Sequence, residues 1–175
     1  MNNPSTLCTL RLAHTDLVMQ NHRVHDVSVM PGVVFLDLTA RVLEARGHAW
    51  TGYALERVLF SEPVVTSADG DRELRVRIWL PEGDSGSVLV DSRVWGDDGA
   101  FTENMRAALV LDRDPLLPAL NVAVLKARMT NALDMSEMYR RARLERIDHR
   151  APMRCTGSLW KGGGALLGEL RLEVP

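Results

Sequence analysis

A histidine, a Pro-Gly pair and an aspartate follow one another near the start of this 175-residue chain. His22 precedes Pro31 and Gly32, and Asp37 lies in the apolar run 33–43. Histidine titrates near neutral pH, and a carboxylate surrounded by apolar residues tends to have a raised pKa. The first suits a general base and the second a general acid. Removal of an activated α-proton and protonation of a leaving hydroxyl are the two steps in the dehydration of a 3-hydroxyacyl thioester.

Apolar residues surround almost the whole circumference of a helix predicted from Pro31 to Arg46. This pattern favours a largely buried helix, and Gly47 is a suitable residue to end it. Asp37 would then need a hydrogen-bonding partner or a cavity wall. The N–H group of Gly32, at the positive end of the helix dipole, could polarise a thioester carbonyl. Substrate binding is therefore expected at three consecutive residues, which are Pro31, Gly32 and Val33.

The spacing His22-x3-Asp26-x4-Pro31 resembles the His-x3-Gly-x4-Pro motif of polyketide synthase dehydratase domains. The segment from Met30 to Asp37 is also similar to the Met-Pro-Gly-x4-Asp stretch of small bacterial fatty-acid dehydratases. Those enzymes are hotdog-fold dimers. The resemblance implies that His22 acts with the carboxylate at the position of Asp37 on the central helix of the partner. Asp26 departs from the motif because glycine is usual at that position.

A second resemblance covers residues 139–160, which look like the opening of the second hotdog in modular polyketide synthase dehydratases, especially those that use separate acyltransferases. A strand with Ile147-x-His149 is followed by Met153-Arg154-x-x-Gly157, with arginine where lysine is common. In a complete double hotdog the catalytic aspartate lies on the second central helix, further along than this chain extends. We expect a hotdog at 1–112, a linker at 113–135 and a partial second hotdog at 136–175.

The remaining pattern predicts an α+β hotdog, in which an antiparallel sheet wraps around the central helix. The alternation of apolar and polar residues is clearest at 73–80. Turn signals separate the strands and favour a meander, while the segment 13–30 is expected to be a loop. The predicted strands are Thr6 to Leu12, Tyr53 to Phe60, Glu73 to Leu80, Ser87 to Trp95 and Thr102 to Leu111. A helix at 135–146 and a hairpin around Lys161 to Gly164 are expected after them.

The composition fits a globular domain, because 46% of the residues are apolar. A net charge of −2 gives no reason to expect binding to nucleic acid or to an anionic membrane. Cys8 and Cys155 are too few for a disulfide framework or a metal cluster. No apolar run approaches the roughly 20 residues of a membrane helix, and the start lacks signal-peptide features. We expect a cytoplasmic protein with no metal or redox cofactor, whose substrate is carried on the phosphopantetheine of an acyl carrier protein.

Several alternatives remain open. His25 is the fallback base, and His14, His48 and His149 are expected to be solvated or satisfied by the backbone. A homodimer, or a second chain that supplies the other hotdog, would complete the site. The chain could instead be a silent half-dehydratase that docks a carrier protein or a neighbouring synthase, or could catalyse isomerisation or ring closure with the same groups. Six arginines form either a solvated face or a surface for an acidic carrier: Arg140, Arg141, Arg143, Arg146, Arg150 and Arg154.

Overall fold

The computed structural model describes residues 4–66, 70–82, 85–112, 119–129, 131–151 and 153–172. The helices are α1 (Leu17–Asn21), α2 (Gly32–Ala45), α3 (Val122–Ala127) and α4 (Met135–Leu144), and a 3-10 turn covers Trp50–Gly52. The strands are β1 (Thr6–Leu12), β2 (His22–Val24), β3 (Val27–Val29), β4 (Tyr53–Phe60), β5 (Val65–Thr66), β6 (Arg72–Glu82), β7 (Ser85–Val94), β8 (Thr102–Leu111), β9 (Asn131–Asp134), β10 (Ile147–His149), β11 (Cys155–Gly162) and β12 (Ala165–Leu172).

A five-stranded antiparallel sheet in the order β1-β6-β7-β8-β4 forms the largest layer. Alternate residues of β6 are fully buried, as the strand periodicity predicts. The meander is confirmed for β6, β7 and β8, but β4 pairs with β8 at the far edge instead of preceding β6. The core under this sheet also takes residues from α2. Its largest buried apolar side chains are Met19, Leu43, Leu74, Ile78, Met105 and Leu109.

Helix α2 is buried on one side only, so the expectation of a largely buried helix is wrong. Phe35 and Leu43 face the core, whereas 66% of Val33 is exposed. Asp37 lies on the exposed side, with 58% of its side chain accessible. The apolar composition of the helix favours burial on all sides, but no described residue covers the side with Val33 and Asp37. The helix ends where predicted, since Gly47 has φ +82° and donates to the Glu44 carbonyl at 2.9 Å.

The segment 13–30 is not a loop, because it folds into α1 and the hairpin β2–β3. The two-residue turn of this hairpin consists of His25 and Asp26, with φ of 50° and 66°. Two successive positive φ values are typical of the type I′ turn, which matches the twist of the strands. Aspartate tolerates this left-handed region better than most residues other than glycine. Asp26, which stands where the motif has glycine, therefore adopts a backbone conformation that favours glycine.

Two smaller sheets complete the fold, in the orders β10-β2-β3-β5 and β12-β11-β9. The hairpin predicted around the glycine run is confirmed, because β11 and β12 pair up to Gly162 and Ala165. Gly163 and Gly164 form its turn, both with positive φ. The expected linker 113–135 contains α3 and β9, although 113–118 lie outside the described residues. The boundaries of the domains and the partial second hotdog stay predictions.

Candidate active site

His22 is the first residue of β2 and is half-buried. Its Nδ1 lies 2.7 Å from the carbonyl oxygen of Val29. A carbonyl oxygen can only accept a hydrogen bond, so Nδ1 carries the proton in the neutral ring. Nε2 then keeps its lone pair, which is the arrangement that a general base requires.

The hairpin β2–β3 places this histidine before the start of α2. Strands β2 and β3 are antiparallel, and Arg23 pairs with Ser28. One position further from the turn, His22 therefore lies opposite Val29. Met30 then donates its N–H to the Val64 carbonyl at 2.9 Å, which ties the chain to the segment before β5. These bonds fix the direction in which the chain enters the Pro-Gly turn and the helix.

The turn of the hairpin is held from the C-terminal part of the chain. The N–H of His25 donates to the carbonyl of Arg146 at 2.8 Å. The guanidinium of Arg146 contacts the carboxylate of Asp26 at 2.5 Å, across 120 residues of sequence. His25 itself is exposed at the tip. Asp26 therefore has a partner that glycine would lack, and His25 lies at the tip of the turn whereas His22 lies at its base.

The N-terminus of α2 has the features of an oxyanion site. Pro31 is the N-cap residue and has no side-chain oxygen to bond the first N–H groups. A Cβ atom on Gly32 would lie 3.3 Å from the ring of Phe60, so glycine allows this close packing. Val33 is exposed beside it. A carbonyl oxygen at this helix end could accept hydrogen bonds from backbone N–H groups.

Asp37 is not placed beside His22. Arg41 donates from Nε to Oδ2 of Asp37 at 2.8 Å, and this hydrogen bond raises the pKa of Arg41. The aspartate borders an open depression of about 480 Å³ on the exposed side of α2. Among the residues that the structure describes, no hydrogen bond or ion pair links it to His22. The buried position expected for Asp37 is therefore wrong, because this side of the helix is open in the chain.

His149 is the site residue that the sequence analysis missed. Strand β10 pairs antiparallel with β2, and His149 lies directly opposite His22. The two ring centroids are 5.0 Å apart, with an angle of 66° between the planes. His149 also lies 5.6 Å from the ring of Tyr139. The Ile147-x-His149 pattern predicted a short strand, but it did not indicate that this strand pairs with β2, which is far away in sequence.

Two residues that contact His149, Tyr139 and Arg154, line a cavity of about 240 Å³. Arg154 lines this cavity and donates from Nε to the main-chain carbonyl of His149. The N–H of Cys155 donates to Oη of Tyr139 at 2.8 Å. Burial raises the pKa of Tyr139, and burial also lowers the pKa of His149. The lowered pKa favours the neutral form of the His149 ring.

The other two histidines have partners elsewhere. His14 Nδ1 lies 3.1 Å from the carboxylate of Asp71, and His48 Nδ1 lies 3.4 Å from Oη of Tyr53. The ring of each therefore contacts a side chain, whereas the sequence predicted solvent or the backbone as its partner. Neither histidine contacts the His22 pair in the described ranges.

The basic cluster is mostly paired. Glu137 accepts hydrogen bonds from Arg140 and Arg141, which lower its pKa to about 2. Asp148 forms ion pairs with Arg150 and Arg154. Together with the Arg146–Asp26 pair, these contacts neutralise much of the surface. A docking role for the six arginines stays a prediction.

Within the described ranges, no three His, Cys, Asp or Glu residues are grouped so that they could hold a metal ion. None of the helices formed by those residues has the length and hydropathy needed to cross a membrane.

Known proteins resemble this chain over most of its length. Polyketide synthase PksM of Bacillus subtilis (strain 168) is 18% identical over 157 residues, which are 87% of this chain and 4% of the relative. Polyketide synthase PksL of the same organism is 20% identical over 169 residues, which are 93% of this chain and 4% of the relative. The chain thus spans about 4% of the length of these curated relatives.

Solved structures give the same fold. An N-terminal dehydratase from the difficidin assembly line superposes with a TM-score of 0.86 and 29% identity, covering 95% of this chain and 59% of that one. A monomeric dehydratase domain from a split module of a trans-AT polyketide synthase gives 0.82 and 17%, covering 95% and 62%. An inactive mutant of CurK dehydratase also gives 0.82 and 17%, covering 95% and 58%. The predicted hotdog fold is therefore confirmed.

The sequence profile of the polyketide synthase dehydratase domain matches residues 2–93, which are more than half of the chain and include the whole segment from His22 to Asp37. The match therefore covers the candidate base, the Pro-Gly turn and helix α2. The chain belongs to the polyketide synthase dehydratase domain family.

Proposed function

We propose that this chain takes part in the dehydration of 3-hydroxyacyl thioesters carried on an acyl carrier protein during polyketide or fatty-acid biosynthesis. The observation that carries the proposal is the hydrogen bond from His22 Nδ1 to the Val29 carbonyl. This bond sets the tautomer in which Nε2 is free to accept a proton. Family membership supports dehydration as the reaction in which that base acts.

In the proposed mechanism, Nε2 of His22 removes the α-proton while the N–H of Gly32 polarises the thioester carbonyl. The electron pair of the broken C–H bond forms the new double bond. The 3-hydroxyl leaves as water after it receives a proton from an acid. These proton transfers need no metal or redox cofactor.

The acid has two candidate sources. In a homodimer, Asp37 of one copy would face His22 of the other, and its exposed position is compatible with contact to a second copy. Alternatively, a partner chain supplies both the second hotdog and its own acid, and Asp37 only lines or braces the pocket. In either case the partners are a carrier protein and polyketide synthase modules.

A silent half-dehydratase is the second candidate function. It is favoured by one observation, which is that Asp37 is paired with Arg41 and is not in contact with His22 in the described residues. In that case the chain would bind a carrier protein or a neighbouring synthase without removing water. Carrier-protein binding with no loss of water would support this alternative.

The first experiment replaces the base. His22→Ala should lower the rate of water loss from a 3-hydroxyacyl carrier-protein thioester by about 10² to 10⁴, the range typical of general acid–base groups. His25→Ala is the matched control, because His25 lies in the same hairpin but at its exposed tip. A His22→Ala variant with near-native turnover would contradict the proposal.

The second experiment separates the two sources of the acid. Asp37→Asn keeps the size of the side chain but removes its transferable proton. If the active unit is a homodimer, inactive His22→Ala and inactive Asp37→Asn chains should restore activity when mixed, because a mixed dimer contains one intact site. Full turnover by Asp37→Asn alone, or a dead mixture whose subunits exchange, would instead assign the acid to a partner chain.

A further inference from the structure

The cavity of about 240 Å³ beside α4 contains two guanidinium groups that the proposed reaction does not use. Arg143 lies in α4 and Arg154 precedes β11, and both line the cavity together with Tyr139. Arg143 is exposed, as is the lining residue Thr156, so the cavity opens to solvent. Its volume is several times that needed by one water molecule. A dissolved ligand therefore has both access and room.

Arg143 differs from the other arginines of the basic cluster because it has no acidic partner. The other five each form an ion pair with Glu137, Asp26 or Asp148. In the part of the chain that the structure describes, no hydrogen bond or ion pair involves the guanidinium of Arg143. Its charge is therefore available to an anion that enters the cavity.

Arg154 supplies a second guanidinium, and this one is held in place. Its Nε donates to the main-chain carbonyl of His149, and its Cζ lies 5.5 Å from the centre of the Tyr139 ring. Its Nη2 lies 3.6 Å from Oδ1 of Asp148, which is longer than a hydrogen bond. No described residue accepts a hydrogen bond from the Nη groups of Arg154, so they keep N–H donors for a ligand.

One carboxylate also lines the cavity, and it already has hydrogen bonds. Asp134 is the N-cap residue of α4, and its Oδ1 accepts the N–H of Ser136 at 2.8 Å. Hydrogen bonding to Ser136 lowers the pKa of Asp134, so this carboxylate is ionised at neutral pH. The two guanidinium groups still outnumber it, and the cavity therefore favours an anion over a cation.

The arrangement of donors indicates which anion fits. A guanidinium presents its N–H groups as a planar fork that matches the oxygens of a carboxylate or a phosphate. A carboxylate has two oxygens in one plane, whereas a tetrahedral phosphate directs its oxygens apart and can accept from two forks at once. The exposed hydroxyl of Thr156 is a further donor on the same wall. We propose that Arg143 and Arg154 bind a phosphate group in this cavity.

Two sources of phosphate have this chemistry. One is the phosphopantetheine arm of a carrier-bound substrate, since Tyr139 lies 5.6 Å from the ring of His149, which in turn lies 5.0 Å from that of His22. The other is a free phosphate ion. The inference goes beyond the proposed function, because binding of the phosphate requires no chemistry at His22.

Binding of unreactive probes tests the site and separates the sources. S-methyl-4′-phosphopantetheine and S-methylpantetheine differ only in the phosphate, and their methylated sulfur cannot form a disulfide with Cys155. At low salt the wild-type chain should bind the phosphorylated probe about tenfold more tightly, as expected for charge-assisted hydrogen bonds, and salt should reduce this preference. Isothermal titration calorimetry gives the dissociation constants. Inorganic phosphate is the third probe: equally tight binding identifies free phosphate as the source, and weaker binding identifies the arm.

The variants assign the preference to the cavity. Arg143→Met removes the guanidinium and should reduce the preference to about twofold or less. Arg141→Met is the matched control, because it removes the same charge from the same helix, while Arg141 is paired with Glu137 and is not a lining residue. Arg154→Lys keeps the charge but loses the planar fork, so it should retain only part of the preference.

Two results would overturn the inference. In one, the wild type binds the two pantetheine probes equally. In the other, Arg141→Met reduces the preference as much as Arg143→Met, which would mean that the overall charge of the surface attracts phosphate. Neither result depends on dehydration, because the probes do not react. A preference that requires Arg143, in a chain that removes no water from acyl substrates, would leave the phosphate site intact and refute the proposed function.

Discussion

The N-terminal region 4–112 and the C-terminal region 119–172 differ in how they bury apolar side chains. Among the residues that the structure describes, fifteen hydrophobic residues are buried, and all of them lie between Leu12 and Leu109. In the described part of 119–172 no residue is buried, and four of its leucines are 65% exposed or more: Leu120, Leu144, Leu166 and Leu172. The C-terminal strands are therefore ordered by hydrogen-bonded pairing, whereas the N-terminal region has a core of its own. We expect stability to be concentrated in the N-terminal region.

The largest difference should come from matched leucine truncations. Leu74→Ala removes a fully buried side chain from β6 and should lower the free energy of unfolding by about 2–5 kcal/mol. Leu167→Ala removes a half-buried side chain from β12 and should cost less than about 1 kcal/mol. Urea denaturation followed by circular dichroism measures both. Equal losses would show that the two regions unfold as one equally packed unit.

The junction between the regions can be tested at the hairpin turn. Asp26→Val forces a β-branched residue into positive φ and should cost about 1–2 kcal/mol. Asp26→Gly accepts this conformation and loses only the exposed ion pair with Arg146, so its effect should be much smaller. Thermal melts of the two variants make the comparison. If glycine destabilised the chain as much as valine, the ion pair and not the backbone would be the main contribution of this position.

Acid sensitivity should distinguish the regions through Asp71. Hydrogen bonds from the N–H and ring of His14, together with Arg11, lower the pKa of Asp71 to about 2. A carboxylate with a lowered pKa in the folded state stabilises the fold above its unfolded pKa near 4, and this stability is lost as the pH falls towards 2. Asp71→Asn should lower Tm at pH 7 and make Tm fall less steeply between pH 5 and 2. An unchanged Tm at pH 7 would show that these bonds add nothing.

The smallest effect is expected from the equivalent change in the C-terminal region. The pKa of Glu137 is also lowered to about 2, but its partners are the exposed side chains of Arg140 and Arg141 on the same helix. Exposed pairs of this kind contribute little because solvent and salt screen them. Glu137→Gln should therefore change Tm at pH 7 less than Asp71→Asn does. A larger change would mean that α4 supports the fold more than its burial indicates.

The sequence predicted the strands of the main sheet well, because side-chain alternation and turn residues are local signals. Thr102–Leu111 agrees at both ends. The sequence did not predict the hairpin β2–β3, because its turn residues are His25 and Asp26. A two-residue turn of this type is usually recognised by a pair such as Asn-Gly. His22 was identified from its motif. The position of His149 beside His22 results from strand pairing across more than a hundred residues, which local sequence patterns do not predict. The exposure of Asp37 depends on which residues pack over α2, and the spacing of nearby residues does not predict that either.

The ion pair between Arg146 and Asp26 can form only after most of the chain has been synthesised. The hairpin with His22 closes through two residues, and such hairpins form in roughly 1–10 μs. Arg146 follows 120 residues after Asp26, and a ribosome that adds 5–20 residues per second needs roughly 6–24 s to synthesise them. During that interval the outer edge of β2 has no strand β10 to pair with. An open strand edge can pair with other chains, so for several seconds the nascent protein exposes the strand that carries His22 to misassembly.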